Sequence, residues 1–106
     1  MILRAMLFSL CACVMALPIY GGCTLPPAPS KIPDGATASD EVMRVTMIAM
    51  SDFETDVNNY IKCLEFETTQ GRLTTEAQVR LRDAALSSHQ AVLTRFNAQM
   101  RLYMAR

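Results

Sequence analysis

The sequence predicts an all-α protein: an antiparallel two-helix hairpin that follows an N-terminal signal segment and a Pro-rich linker. Three observations lead there. Apolar residues recur at steps of three and four through two long stretches, 39–70 and 74–104. Neither stretch contains proline, and the one glycine among them, Gly71, sits at the junction. Ahead of both, an apolar run is broken by Pro18 and gives way to Pro26, Pro27, Pro29 and Pro33.

Residues 1–22 read as a signal peptide. Arg4 precedes an apolar core from Ala5 to Leu17. That core is shorter than the ~20 residues of a comfortable membrane span and has the length of a signal h-region. Gly21 and Gly22 supply the small residues a peptidase needs, and Cys11 and Cys13 leave with the cleaved segment. Cys23 then has two competing fates. Tyr20-Gly21-Gly22-Cys23 is arranged as a bacterial lipobox, which makes Cys23 a lipidation site, but Tyr20 stands where an aliphatic residue is usual. Ordinary cleavage instead leaves Cys23 and Cys63 as an even pair, able to form a disulfide in an exported chain.

The linker, residues 23–38, is rich in proline, which removes backbone donors and favours extended geometry, so it forms a spacer or an arm hugging the surface. Pro33-Asp34-Gly35 is a turn signal. Helix one, 39–70, is capped by Thr37 or Ser39, with Asp40 and Glu41 favourably placed on the positive helix end. Its stripe reads Val42, Val45, Ala49, Phe53, Val57, Tyr60 and Leu64, widened by Ile48 and Ile61. Gly71 offers a left-handed cap. Helix two, 74–104, opens at Thr74 or Thr75, where Thr75-Glu-Ala-Gln78 has capping-box spacing. Its stripe reads Leu81, Ala85, Val92, Phe96, Met100 and Tyr103. The repeat is nearer 3.6 than 3.5, so straight packed helices are expected rather than a long coiled coil.

A short connection makes the helices antiparallel. Seven acids between Asp40 and Glu67 face six arginines between Arg72 and Arg106, so folding at Gly71 is expected to bring Asp40 and Glu41 near Arg101, and Glu65 near Arg80. A bare hairpin of this size gains only ~3–5 kcal/mol from its core. A homodimeric four-helix bundle, a helical protein partner or a disulfide is therefore expected to support it.

The chain of 106 residues has formal net charge zero, so no global field draws it to nucleic acid, and membrane contact is expected only through a lipidated Cys23. No constellation points to an enzyme or a cofactor. Ser87, Ser88 and His89 adjoin in sequence but face different sides of a helix, and two helices are expected to offer no concave pocket. No cysteine, histidine and carboxylate group has metal-ligand spacing; Asp52 and Asp56 share one face and suit a weak cation site at most. Met43, Met47, Met50, Met100 and Met104 provide a soft, adaptable interaction surface or, alternatively, core packing.

At Ile32-Pro-Asp-Gly-Ala-Thr-Ala38, Tyr60-Ile-Lys-Cys-Leu64 and Arg95-Phe-Asn-Ala-Gln99, the chain resembles a group of small uncharacterised proteobacterial exported proteins. The resemblance implies a bacterial periplasm or envelope setting and pairing of Cys23 with Cys63, and it brings no activity. The expectation is an exported structural or protein-interaction module. A lipoprotein adaptor anchored through Cys23 and a weak metal or small-ligand carrier are the alternatives.

Overall fold

A computed structural model describes Ile19–Tyr20 and residues 22–106 of the chain. Most of the signal-segment reading, 1–22, lies outside the described residues, namely 1–18, with Cys11 and Cys13, and 21. Strands β1 (Ile19–Tyr20) and β2 (Cys23–Thr24) form one antiparallel pair with Tyr20 opposite Cys23. Helices α1 (Asp40–Thr69) and α2 (Thr75–Met104) hold 30 residues each and pack as an antiparallel hairpin. The all-α fold expected from the periodicity is the fold observed.

Both helices start on hydroxyl caps. The Val42 N–H donates to Ser39 Oγ at 3.1 Å, and the Ala77 N–H donates to Thr74 Oγ1 at 3.2 Å. Each satisfies one of the orphan donors of a first turn. Ser39 rather than Thr37 therefore caps α1, and Thr74 takes the cap position in α2, so the Thr75–Gln78 box does not form. The α1 C-terminus closes as a Schellman turn: Gly71 adopts φ 74°, its N–H reaches the Thr68 carbonyl, and the Arg72 N–H reaches the Glu67 carbonyl.

The core corrects the predicted stripe of α1. From Phe53 to Leu64 the buried residues are those expected, but toward the N-terminus the face runs Met50, Thr46, Met43. Val42 and Val45 stay 45% and 51% exposed. Two ladders of threes and fours lead back from Phe53, one through Ala49, Val45 and Val42 and one through Met50, Thr46 and Met43. β-Branched residues favoured the first on paper. The second faces α2, and unbranched methionines fill the space between the helices. Thr46 is tolerated there because its hydroxyl donates to the Val42 carbonyl at 2.7 Å. On α2, Ala85, Val92 and Phe96 are buried, flanked by Leu81, Leu93 and Met100.

The Pro-rich segment forms a third layer. From Cys23 to Gly35 it advances twelve residue steps, about 37 Å in polyproline geometry. α1 from Asp40 to Cys63 rises about 35 Å. The arm thus runs back along the hairpin from its looped end to its open end, with Leu25 and Ile32 packed against the core.

Candidate functional site

The arm is fastened at both ends. At the looped end Cys23, fully buried, is bonded to Cys63 across a sequence separation of 40, with Cα atoms 5.7 Å apart. Nearby Glu67 is buried and accepts two hydrogen bonds from the Arg72 guanidinium, 2.6 Å from Nε and 2.9 Å from Nη2. Arg72 therefore returns to Glu67 with both its backbone and its side chain. That hydrogen-bonded cation holds the Glu67 carboxyl below its ordinary range, outweighing the effect of burial. The Arg72 guanidinium also lies over the exposed Phe66 ring, 5.7 Å from its centroid.

At the open end the turn signal becomes a latch. The Ala36 N–H donates to Asp34 Oδ1 at 2.9 Å, and the Thr37 and Ala38 N–H groups donate to the Asp34 carbonyl. This turn presents Gly35, whose N–H donates to Gln99 Oε1 at 2.8 Å. The approach is so close that a Cβ at Gly35 would stand 1.8 Å from the Gln99 carbonyl oxygen. Arg106 donates from Nη1 to the Gly35 and Ala38 carbonyls. The Tyr103 hydroxyl donates to Asp40 Oδ1 at 2.7 Å, and this bond, retaining the phenolic proton, raises the Tyr103 pKa. The segments Ile32–Ala38 and Arg95–Gln99, singled out in the sequence, thus meet at Gly35 and Gln99. The segment Tyr60–Leu64 carries the other fastening through Cys63.

Two expectations fail here. The cross-helix ion pairs of Asp40 or Glu41 with Arg101, and of Glu65 with Arg80, do not form among the described residues. The ion pairs present are local: Arg44 with Glu41, Arg72 with Glu67, and Arg82 with Asp83. At 100° per residue, Glu65 and Arg80 point to opposite flanks of the hairpin, and Asp40 binds Tyr103 instead. The expected lack of concave surface also fails, because the arm supplies the missing walls. A groove of about 680 Å³ opens between Ser30–Pro33, the first turns of α1 (Glu41, Val42, Val45, Thr46) and Arg95. A smaller one, about 360 Å³, lies beside the disulfide between Pro26, Pro27, Asp56 and Asn59.

The methionines separate. Met43 and Met50 are buried in the core and cannot form a surface, correcting that part of the expected interaction patch. Met100 is partly buried against the core, while Met47 is half exposed and Met104 is 77% exposed. His89 packs its ring on Phe53 at 5.7 Å between centroids. Asp52 and Asp56 are exposed, and among the described residues no group of three or more His, Cys, Asp or Glu gathers where a metal could be held. No helix among the described residues is long and apolar enough to cross a membrane.

Sequence reasoning missed Gln99 and Arg106 as latch residues, and it treated Gly35 only as a turn glycine. The signal was indirect: a polar Gln99 one helical turn from Phe96, level with the arm's only turn. No protein-family model, curated protein or solved structure matches the chain.

Proposed function

We propose that this chain is an exported, non-enzymatic helical module of a bacterial periplasm or envelope, acting as a structural or protein-interaction element. The observation that carries the reading is the Cys23–Cys63 bond. Structural disulfides persist in oxidising compartments and are rare in the cytosol, and small exported domains use them where the core alone is thin. The bond closes a loop long enough to contribute about 4 kcal/mol in the chain-entropy model. The apolar N-terminal run ahead of it has the make-up of an export signal. The resemblance to small proteobacterial exported proteins points the same way.

The same bond weighs against the lipoprotein reading, since a Cys23 sulfur joined to Cys63 cannot also carry a diacylglyceryl thioether. The interaction reading rests on the apolar side chains left on the surface, including Met47, Ile48, Leu86 and Met104. A fusion of residues 1–30 to a phosphatase that folds only after export tests the compartment. Activity equal to that of an established signal is expected. Activity no higher than that of an unexported phosphatase contradicts the proposal.

A further inference from the structure

One flank of α2 carries a second apolar row that α1 covers only in part and the arm does not reach. Val79, Leu86, Leu93 and Met100 recur at steps of seven. They drift only slowly around the helix, because two turns fall about 20° per heptad short of closing. Val79 and Leu86 are 38% and 43% exposed, and Leu93 and Met100 are partly buried along the edge of the core. Relative to the buried line Ala85–Val92–Phe96, this row lies on one side, and Arg95 and Gln99, which face the arm, lie on the other. α1 contributes Met47 and Ile61 to the same open flank, away from Cys63 and the arm.

We propose that this flank is the seat of a second copy of the chain, with the two α2 helices antiparallel about a two-fold axis. The proposal rests on the interaction reading above and names its partner. The row is self-complementary. An axis crossing α2 between His89 and Gln90 sets Leu86 against Leu93 of the second copy, and Val79 against its Met100. Every apolar position then meets another. The charges along the outer rim obey the same axis. Glu76 lies near the N-terminal end of the row and Arg101 near the C-terminal end, both exposed. Neither takes part in an ion pair among the described residues. The axis brings Glu76 within one helical turn of Arg101 of the second copy, and Arg101 likewise to the second copy's Glu76. A parallel arrangement would set Glu76 beside Glu76 and Arg101 beside Arg101. The result is a four-helix bundle with the arms on its outer faces.

Sedimentation equilibrium of the disulfide-bonded exported protein tests this. The protein is expected to be a dimer. Leu86→Glu and Leu93→Glu place a charge in the seam and should each weaken association about a hundredfold or more, with helicity unchanged by circular dichroism. Because a core-edge glutamate can disturb folding, a surface pair provides a second arm. Glu76→Arg and Arg101→Glu alone should each weaken the dimer at low salt, a loss that added salt partly relieves, and the double exchange should restore both the affinity and its original salt dependence. A monomer at every concentration overturns the proposal. So does a dimer insensitive to all four single changes, which would leave the interaction reading standing on another face. Failure of export leaves the association result intact and strikes only the compartment.

Discussion

The two helices are equal in length and unequal in burial. α1 buries eight side chains and α2 only three. The difference lies less in the apolar content of the two stretches than in the number of neighbours. α1 meets α2 along its whole buried face and carries the arm's disulfide on the adjoining flank, whereas α2 meets the arm chiefly toward its C-terminal end, at Gln99 and Arg106. A small hairpin gains a further element by folding back the segment ahead of it, bonded to α1 at Cys63 and latched to α2 at Gln99. What remains is an asymmetric molecule in which one helix is the better buried, while both still carry exposed apolar side chains.

The comparison is most directly broken in the core of α1. Leu64→Ala removes a fully buried side chain from beneath both layers and should cost about 2–5 kcal/mol, read as a lower urea midpoint. Leu86→Ala, on the α2 flank, should shift the same midpoint by less than about 0.5 kcal/mol in Glu76→Arg protein diluted until it is monomeric. Equal losses at the two positions would mean that the helices are buried alike. Replacing Cys23 and Cys63 by serine releases the arm's first anchor and should cost about 4 kcal/mol by the same measurement. Gly35→Ala attacks the second anchor: its methyl group meets the Gln99 backbone, so the arm must lift, at about 1–3 kcal/mol. Hydrogen exchange should then rise across residues 25–38 while α1 beyond Phe53 keeps its protection.

The helices and their junction were legible because they depend on local rules. The spacing of apolar residues, the absence of proline and the Gly71 cap each act within a few positions. Half of α1's face was misread for the same reason. Two ladders fitted the spacing from Phe53 back to Val42 or Met43, and only contact with α2 chooses between them. The arm's path was beyond local reading altogether. Gly35 and Gln99 lie 64 positions apart, and nothing in either neighbourhood demands the other. The polyproline segment looked like a spacer because its prolines say how it extends but not what it lies against. The charge segregation was real in the sequence, but its expected partners point to opposite flanks.

Smaller effects sharpen the account at the helix ends. Ser39→Ala and Thr74→Ala should each cost about 0.5–2 kcal/mol. The Glu67–Arg72 pair should leave a pH signature. Its folded-state carboxyl is held below the ordinary glutamate range by Arg72, so the unfolded chain binds the proton more readily. The pair's contribution is fully present above about pH 5 and is lost as pH falls through the folded value. Glu67→Gln should flatten that part of the profile, measured by urea midpoints at stepped pH.

The Cys23–Cys63 bond ties the arm to the hairpin, and the proposed export of the chain is what lets it form. Intact mass of the protein recovered from an export-competent host, before and after reduction, tests it most directly. A processed chain without lipid is expected, its mass rising by two hydrogens on reduction as Cys23 and Cys63 part. An unprocessed chain, a mass unchanged by reduction, or a diacylglyceryl group on Cys23 would contradict it.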